Sequence, residues 1–341
     1  MVVRRRSRRT TTPQHTPPRR AGRGQGEGFV KSVNQDITLP SSAAQEPPAI
    51  PAHRTPAARA WRQFWRDPGA VAGVLIVSLL ALVAIFAPAL APHDPAQPFD
   101  DGLTMQGLPV PSTLPASARF ILGTDPSGRD MLSRIIYGAR VSLTVGVLAN
   151  VLVVALGVLV GAVSGYSRGW LGPLLMRFTD VMLAFPTLLL ATALVAVLSP
   201  SLTIIIVVIG VVYWTGLARV VHGQVLRLRE LDFVTAAQCL GVPPGRILLR
   251  HILPHLIPTA IVWGTLGIAT NVMLEASLSF LGIGVQPPTP SWGRMISEGQ
   301  TYYRTAPWLI LFPGIAIMLT VLGFNLLGDG LRDALDPYQR Q

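Results

Sequence analysis

The chain reads as an all-α membrane protein with six transmembrane helices and both termini in the cytoplasm. Three observations carry that expectation. Six long runs, 71–91, 141–167, 181–198, 202–218, 256–274 and 305–328, contain no Asp, Glu, Lys, Arg or His, and a helix needs about 20 apolar residues to cross the hydrocarbon core of a bilayer. Half of the 341 residues are hydrophobic and only 13% are charged, too few charges to cover a soluble surface of this length. Six spans place both termini on one side, and 22 of the 28 Lys and Arg residues fall on that side, which the positive-inside rule assigns to the cytoplasm.

Residues 1–66 form an Arg- and Pro-rich tail with 13 basic and three acidic residues. The tail therefore holds almost all of the net charge of +11, and no nucleic-acid surface is implied for the rest. With few large apolar residues it cannot bury a core and is expected to be disordered, attracted to anionic membrane lipid or simply solvated. It lacks the apolar core and small-residue cleavage site of a signal peptide, so the first span, within 67–92, is expected to stay as an anchor. An extracytoplasmic segment, 93–137, follows. There Asp125 is expected to cap an amphipathic helix with Pro126 at its first position and an Asp130–Arg134 pair on its polar face.

Within the second span Gly157, Gly161 and Gly165 recur every four residues, a stripe that lets another helix approach closely. The third and fourth spans are separated by Ser199-Pro200-Ser201 alone and must form a tight hairpin. Pro186 and Pro313 fall inside spans and should kink or open their helices. Asp180 is expected to pair with Arg177. The polar stretch 219–256 interrupts two apolar runs and reads as an elbow. Asp232 caps a short helix over 233–240, Gly241 stops it, Pro243-Pro244 break the chain, and a second short helix spans 246–253 before Pro254. The fifth span should run on past Glu275 to about Leu281. Beyond it, 285–304 is a stiff outer loop with interfacial Trp292, Tyr302 and Tyr303. The last residues, 329–341, form a cytoplasmic tail.

Chemistry is limited by what the chain lacks. Its one lysine, Lys31, follows a valine in the tail, so there is no P-loop and no ATP hydrolysis by that route. The lone Cys239 excludes an intrachain disulfide and a Cys-cluster metal site. His251 and His255 stand one helical turn apart, but Pro254 lies between them without an acidic ligand nearby, so docking or capping is expected rather than metal binding. Glu275, with Asn271 and Ser279 one turn to either side, is the clear ionisable group within a span. It lines a translocation pathway or gate, or is satisfied locally by Asn271 and serines.

The elbow resembles a known family. Thr235-Ala236-Ala237, Gly241 and Ile252-Leu253-Pro254 look like the Glu-Ala-Ala loop of binding-protein-dependent ABC importer permeases, with Thr235 where Glu is typical and His251 where Ile is typical. Three further stretches resemble the second permease subunit of dipeptide, oligopeptide and nickel importers: LGTDPSGRDMLSRIIYGARVSL at 122–143, EASLSFLGIGVQPPTPSWG at 275–293 and NLLGDGLRDALDP at 325–337. The resemblance covers roughly 60–338. It implies a type I ABC importer permease fold with a core of five spans over 138–328. The elbow residues Asp232, Thr235, Ala236, Ala237, Gly241 and Pro254 would couple it to an ATPase. Implied partners are a homologous second permease, two cytosolic ATPases that carry ATP and Mg, and an extracytoplasmic solute-binding protein; no cofactor and no catalytic residue is expected on this chain. Peptides are the favoured substrate, nickel chelates an alternative, and a secondary carrier with Glu275 as its ion-linked acid or a membrane scaffold are the readings of other classes.

Overall fold

Asp67 opens the first long helix: its carboxylate accepts from Gly69 N at 3.0 Å and Ala70 N at 3.3 Å while Pro68 takes the first helical position. In the computed structural model, which describes residues 56–104, 106–110 and 119–335, that helix is α2, Pro68–Ile85. The tail lies outside the described residues up to residue 55. Its last part does not follow the expectation of disorder, because Pro56–Phe64 forms helix α1. Phe64 is buried, and Gln63 Nε2 donates to Asp333 O at 3.1 Å, so α1 is moored to the far end of the chain. The first span is also shorter than 71–91, since α2 ends at Phe86 and a separate turn, α3, covers Ala87–Leu90.

The expected amphipathic helix at 125–137 is not a separate element. Asp125 instead closes a turn, accepting from Ser127 N at 2.7 Å and Arg129 N at 2.9 Å. Asp130 is the cap, taking Ser133 N at 3.0 Å and Ser133 Oγ at 2.6 Å. From there α4, Met131–Tyr166, runs unbroken for 36 residues, about 54 Å, so the polar start and the second span are one rod. No proline interrupts it.

The third span departs further. It is two helices, α5 (Leu171–Ala184) and α6 (Thr187–Leu198), bent by 86°. Pro186 has no N–H, and its ring drives Phe185 to an extended ψ of 138°. Ser201 caps α7, Leu202–Leu228, by accepting from Ile204 N at 3.2 Å. Helix α7 continues ten residues beyond 218, so Arg219, His222 and Arg227 lie on it. There Arg219 reaches Asp180 at 2.6 Å, replacing the expected Arg177 partner.

The elbow is α8, Asp232–Cys239, and α9, Pro244–Ile247, followed by a π-helical turn, Leu248–Ile252, that leads without a gap into α10, Leu253–Phe280. Helices α11, Trp292–Gly299, and α12, Trp308–Leu335, complete the chain. Residues 329–335, expected as tail, are thus the last turns of α12. Among the described residues five helices are long and apolar enough to cross a membrane, six if the bent pair is one span. Among the described residues there are three isolated β-bridges and no strand.

Two packings hold the bundle. Helix α4 lies along α7 on the glycine stripe: a Cβ on Gly161 would stand 2.7 Å from Val221 Cβ, and one on Gly165 2.8 Å from Val225 Cβ. Gly157 meets Leu217 in the same way. On the other side α10, α12, α2 and α4 share a core that includes Leu143, Ala269, Val272, Trp292, Leu309 and Phe324. Trp292 is fully buried, and its Nε1 donates to Ile135 O at 3.1 Å, which seats the outer loop on α4.

Candidate functional site

The elbow is clamped from behind and open in front. Val234 and Ala237, three residues apart on α8, are buried in one cluster with Leu217, Val221 and Val225 of α7 and with Ile247, Ile252 and Leu256 leading into α10. Asp232, Thr235, Ala236, Cys239, Leu240 and Gly241 are exposed, as is Pro254 in the first turn of α10. Gly241 sits at φ +75°, the left-handed stop that a glycine accepts without strain, and Val242 N donates to Ala237 O at 3.1 Å to close the turn. Asp232 is the first helical residue, not the cap; Leu231 holds that position without a side-chain hydrogen bond. Phe233 lies 5.4 Å from the His255 ring, a second tie between α8 and α10.

Polar pairs fasten α10 along its length. Gln224 of α7 and Thr259 exchange hydrogen bonds at 2.9 and 3.1 Å. Asn271 Nδ2 donates to Asn150 Oδ1 at 3.3 Å, while Asn150 Nδ2 donates to Gly264 O. Glu275 is fully buried, accepting from Ser142 Oγ of α4 at 2.8 Å and Ser279 Oγ at 2.6 Å and held also by Ser291, the cap of α11. Of the local partners named for Glu275, serines hold it and Asn271 does not: Asn271 turns to Asn150, and Glu275 joins α4, α10 and α11 through hydroxyls.

Outside the spans, the start of α4 is tied to α11 by a buried ion network. Arg134 pairs with Asp125 and places Nη2 2.9 Å from Glu298 Oε2; Arg294 Nε is 3.1 Å and Arg129 Nη2 3.5 Å from the same carboxylate. Arg134 thus pairs across to α11, not with Asp130 as expected. Burial pushes the Glu298 carboxyl up, but Arg134, Arg294 and Arg129 outweigh it and hold it below its ordinary value.

Sequence reasoning missed several of these residues. Ser142 and Asn150 were visible as polar positions two helical turns apart in an uncharged run, the spacing of one face. Leu240 was visible as a large apolar residue beside a glycine stop, and at 83% exposure it is the most prominent apolar group of the elbow. Arg134 and Glu298 lie 164 positions apart, and no local pattern joins them.

A helical bundle with five or six apolar helices, buried polar ties and an elbow presented at one end has the architecture of a polytopic membrane protein. Residues 157–341 match the family described as binding-protein-dependent transport system inner membrane component, and residues 55–107 match the N-terminal TM domain of oligopeptide transport permease C. The chain belongs to this family of ABC importer permeases. It is 41% identical over 298 residues to the di/tripeptide transport system permease protein DppC of Pseudomonas aeruginosa, covering 87% of this chain and 96% of that relative. The dipeptide transport system permease protein DppC of Alkalihalophilus pseudofirmus is 43% identical over 83% of this chain and 90% of its own length. The glutathione transport system permease protein GsiD of Escherichia coli is 44% identical over 83% and 91%. The chain is thus an inner-membrane transport component that works with a solute-binding protein and an ATPase.

Proposed function

We propose that this chain is one permease subunit of an ATP-driven peptide importer, paired with a homologous permease and two ATPases that hold ATP and Mg. Hydrolysis belongs to those partners, and this chain supplies no catalytic residue. The relatives' substrates, di- and tripeptides and glutathione, support the peptide class. The distribution of basic residues supports cytoplasmic termini and a cytoplasmic elbow.

One observation carries the coupling reading: the elbow is packed into a buried cluster where it meets α7 and α10 and offers Leu240, Phe233 and Ala236 outward. Asp232, Thr235 and Gly241 flank that apolar face, Ala237 locks it to the bundle, and Pro254 starts the rod behind it. Pro244–Phe280 is continuous over 37 residues, about 55 Å. A push on α8 therefore travels along α10 to Glu275, which holds Ser291 and the outer loop. Glu275, Asn271 and Ser279 serve the gate by fixing its frame to α4.

The test is ATP-dependent peptide uptake by the reconstituted complex carrying Leu240→Asp. A desolvated apolar anchor at such an interface is worth about 2 kcal/mol or more, roughly thirtyfold in affinity. Uptake should fall while the permease still inserts and folds, since Leu240 makes little contact within the chain. Unimpaired uptake, or uptake without ATPases, would sink the proposal.

A further inference from the structure

A cleft of about 540 Å³ opens between the elbow-side ends of α4, α5 and α7. We propose that it binds the phosphate of an anionic phospholipid, with the headgroup against Arg168 and Arg229. The polar wall comprises these arginines with Ser164, Ser167, His222 and Glu230, and Pro173, Met176 and Leu226 form an apolar wall.

Arg229 is oriented by donating from Nη1 to Gly165 O at 3.0 Å and from Nε to Glu230 at 3.0 Å; its Nη2 makes no hydrogen bond among the described residues. Arg168 uses only Nη2, on Gln238 Oε1 of α8 at 3.3 Å, which leaves Nε and Nη1 available. The Ser167 hydroxyl has no protein partner among the described residues, and His222 Nδ1 shares a 2.9 Å hydrogen bond with Ser164 Oγ. Glu230 is the one acidic group in the cleft, and its side chain is 70% exposed. Two arginines and one glutamate leave a single formal positive charge, which matches the single negative charge of a phosphodiester.

The surroundings favour an amphiphile over a free anion. Trp170, the cap of α5, and Leu174 in its first turn are 75% and 52% exposed beside the cleft, and with the Met176 side they offer a path for an acyl chain. A free phosphate would use the same donors and gain nothing from this apolar wall. Because Arg168 also holds Gln238, a headgroup here would brace α8 against the bundle. This site rests on the proposed cytoplasmic-side position of the elbow but not on the coupling step.

The complete transporter, with its ATPases and partner permease, should be purified in mixed phosphatidylglycerol and phosphatidylcholine micelles and its retained lipid counted by native mass spectrometry. One net positive charge at the surface corresponds to about fivefold enrichment of phosphatidylglycerol. Arg168→Gln, at an exposed position, should cut that enrichment by more than half, the Arg168→Gln, Arg229→Gln pair should abolish it, and Glu230→Gln should raise it. Equal retention in the wild type and the arginine variants would overturn the proposal. Stabilisation by inorganic phosphate alone, with no lipid preference, would assign the cleft to the free ion. Phosphatidylglycerol lost whenever the ATPases assemble would mean that an acidic ATPase side chain fills the cleft, and would also overturn it. Leu240→Asp should leave lipid retention unchanged, so failure of the coupling reading and failure of this one are separable.

Discussion

Replacing Glu275 by Ala removes the acceptor that joins α4, α10 and the cap of α11. Ser142, Ser279 and Ser291 then lose the partner of a buried hydroxyl, and an unsatisfied buried donor costs about 1–3 kcal/mol. Ser279 Oγ still accepts from Val285 N at 3.2 Å and Ser291 Oγ from Arg294 N at 3.4 Å, so it is the O–H donors that are orphaned. The Ser142 hydroxyl can turn to a carbonyl of its own helix. Taking the low end for each and adding the void left by the side chain gives a loss of about 3–5 kcal/mol. At roughly 2 °C per kcal/mol for a chain of this size, the unfolding midpoint in detergent should fall by about 6–10 °C. Glu275→Gln keeps the volume and one acceptor oxygen and should lose about 1–2 kcal/mol, with ATP-driven uptake retained. The assay pairs thermal unfolding with uptake at matched insertion. A stable Glu275→Gln that transports nothing would refute the frame role and show that the charge itself acts in translocation, as an ion-linked carrier requires.

Other perturbations test other contacts. Gly161→Leu would bring a Cβ to 2.7 Å from Val221 Cβ and should destabilise by about 1–3 kcal/mol. Gly223→Ala on α7, where a Cβ meets nothing within 4 Å, should be neutral or stabilise by up to about 1 kcal/mol; both are read by thermal unfolding. Glu298→Gln should cost about 2 kcal/mol, because Arg134 then keeps only Asp125. The Glu298 carboxyl lies below its ordinary value in the folded chain, so its contribution is present above the unfolded value of about 4.3 and is lost as pH falls through the lower folded value. Unfolding midpoints of the wild type should therefore drop on acidification below about pH 4, more steeply than those of Glu298→Gln. Thr235→Glu, at an exposed position of α8, should change stability by no more than about 0.5 kcal/mol.

Much of the architecture was legible because lipid imposes one-dimensional rules. Uncharged runs mark spans, a glycine every fourth residue marks a close helix approach, and Gly241 before Pro243-Pro244 marks a stop and a break. These signals depend on neighbours within a few residues. The same local logic misled at 125–137: the Asp125-Pro126 signal is real as turn chemistry, but Asp130 with Ser133 is the better cap, and the helix it opens does not stop at the membrane surface. Pro186 announced a kink without its size, since a missing N–H loosens a helix and the 86° bend depends on what each half packs against.

The sequence by itself determined the all-α membrane class, the elbow with its glycine stop, the glycine seam and the family, because apolar periodicity, backbone restrictions and motif spacing are properties of contiguous residues. Tertiary structure alone decided that Ala237 is a lock while Leu240 faces outward, that Glu275 answers to Ser142 and Ser291 and Asn271 to Asn150, and that Arg134 is neutralised by Glu298. Ser142, Asn150 and Glu298 lie 121 to 164 positions from the groups they meet. Only folding brings such groups within hydrogen-bond reach, and burial then makes each unsatisfied donor costly enough to select its partner.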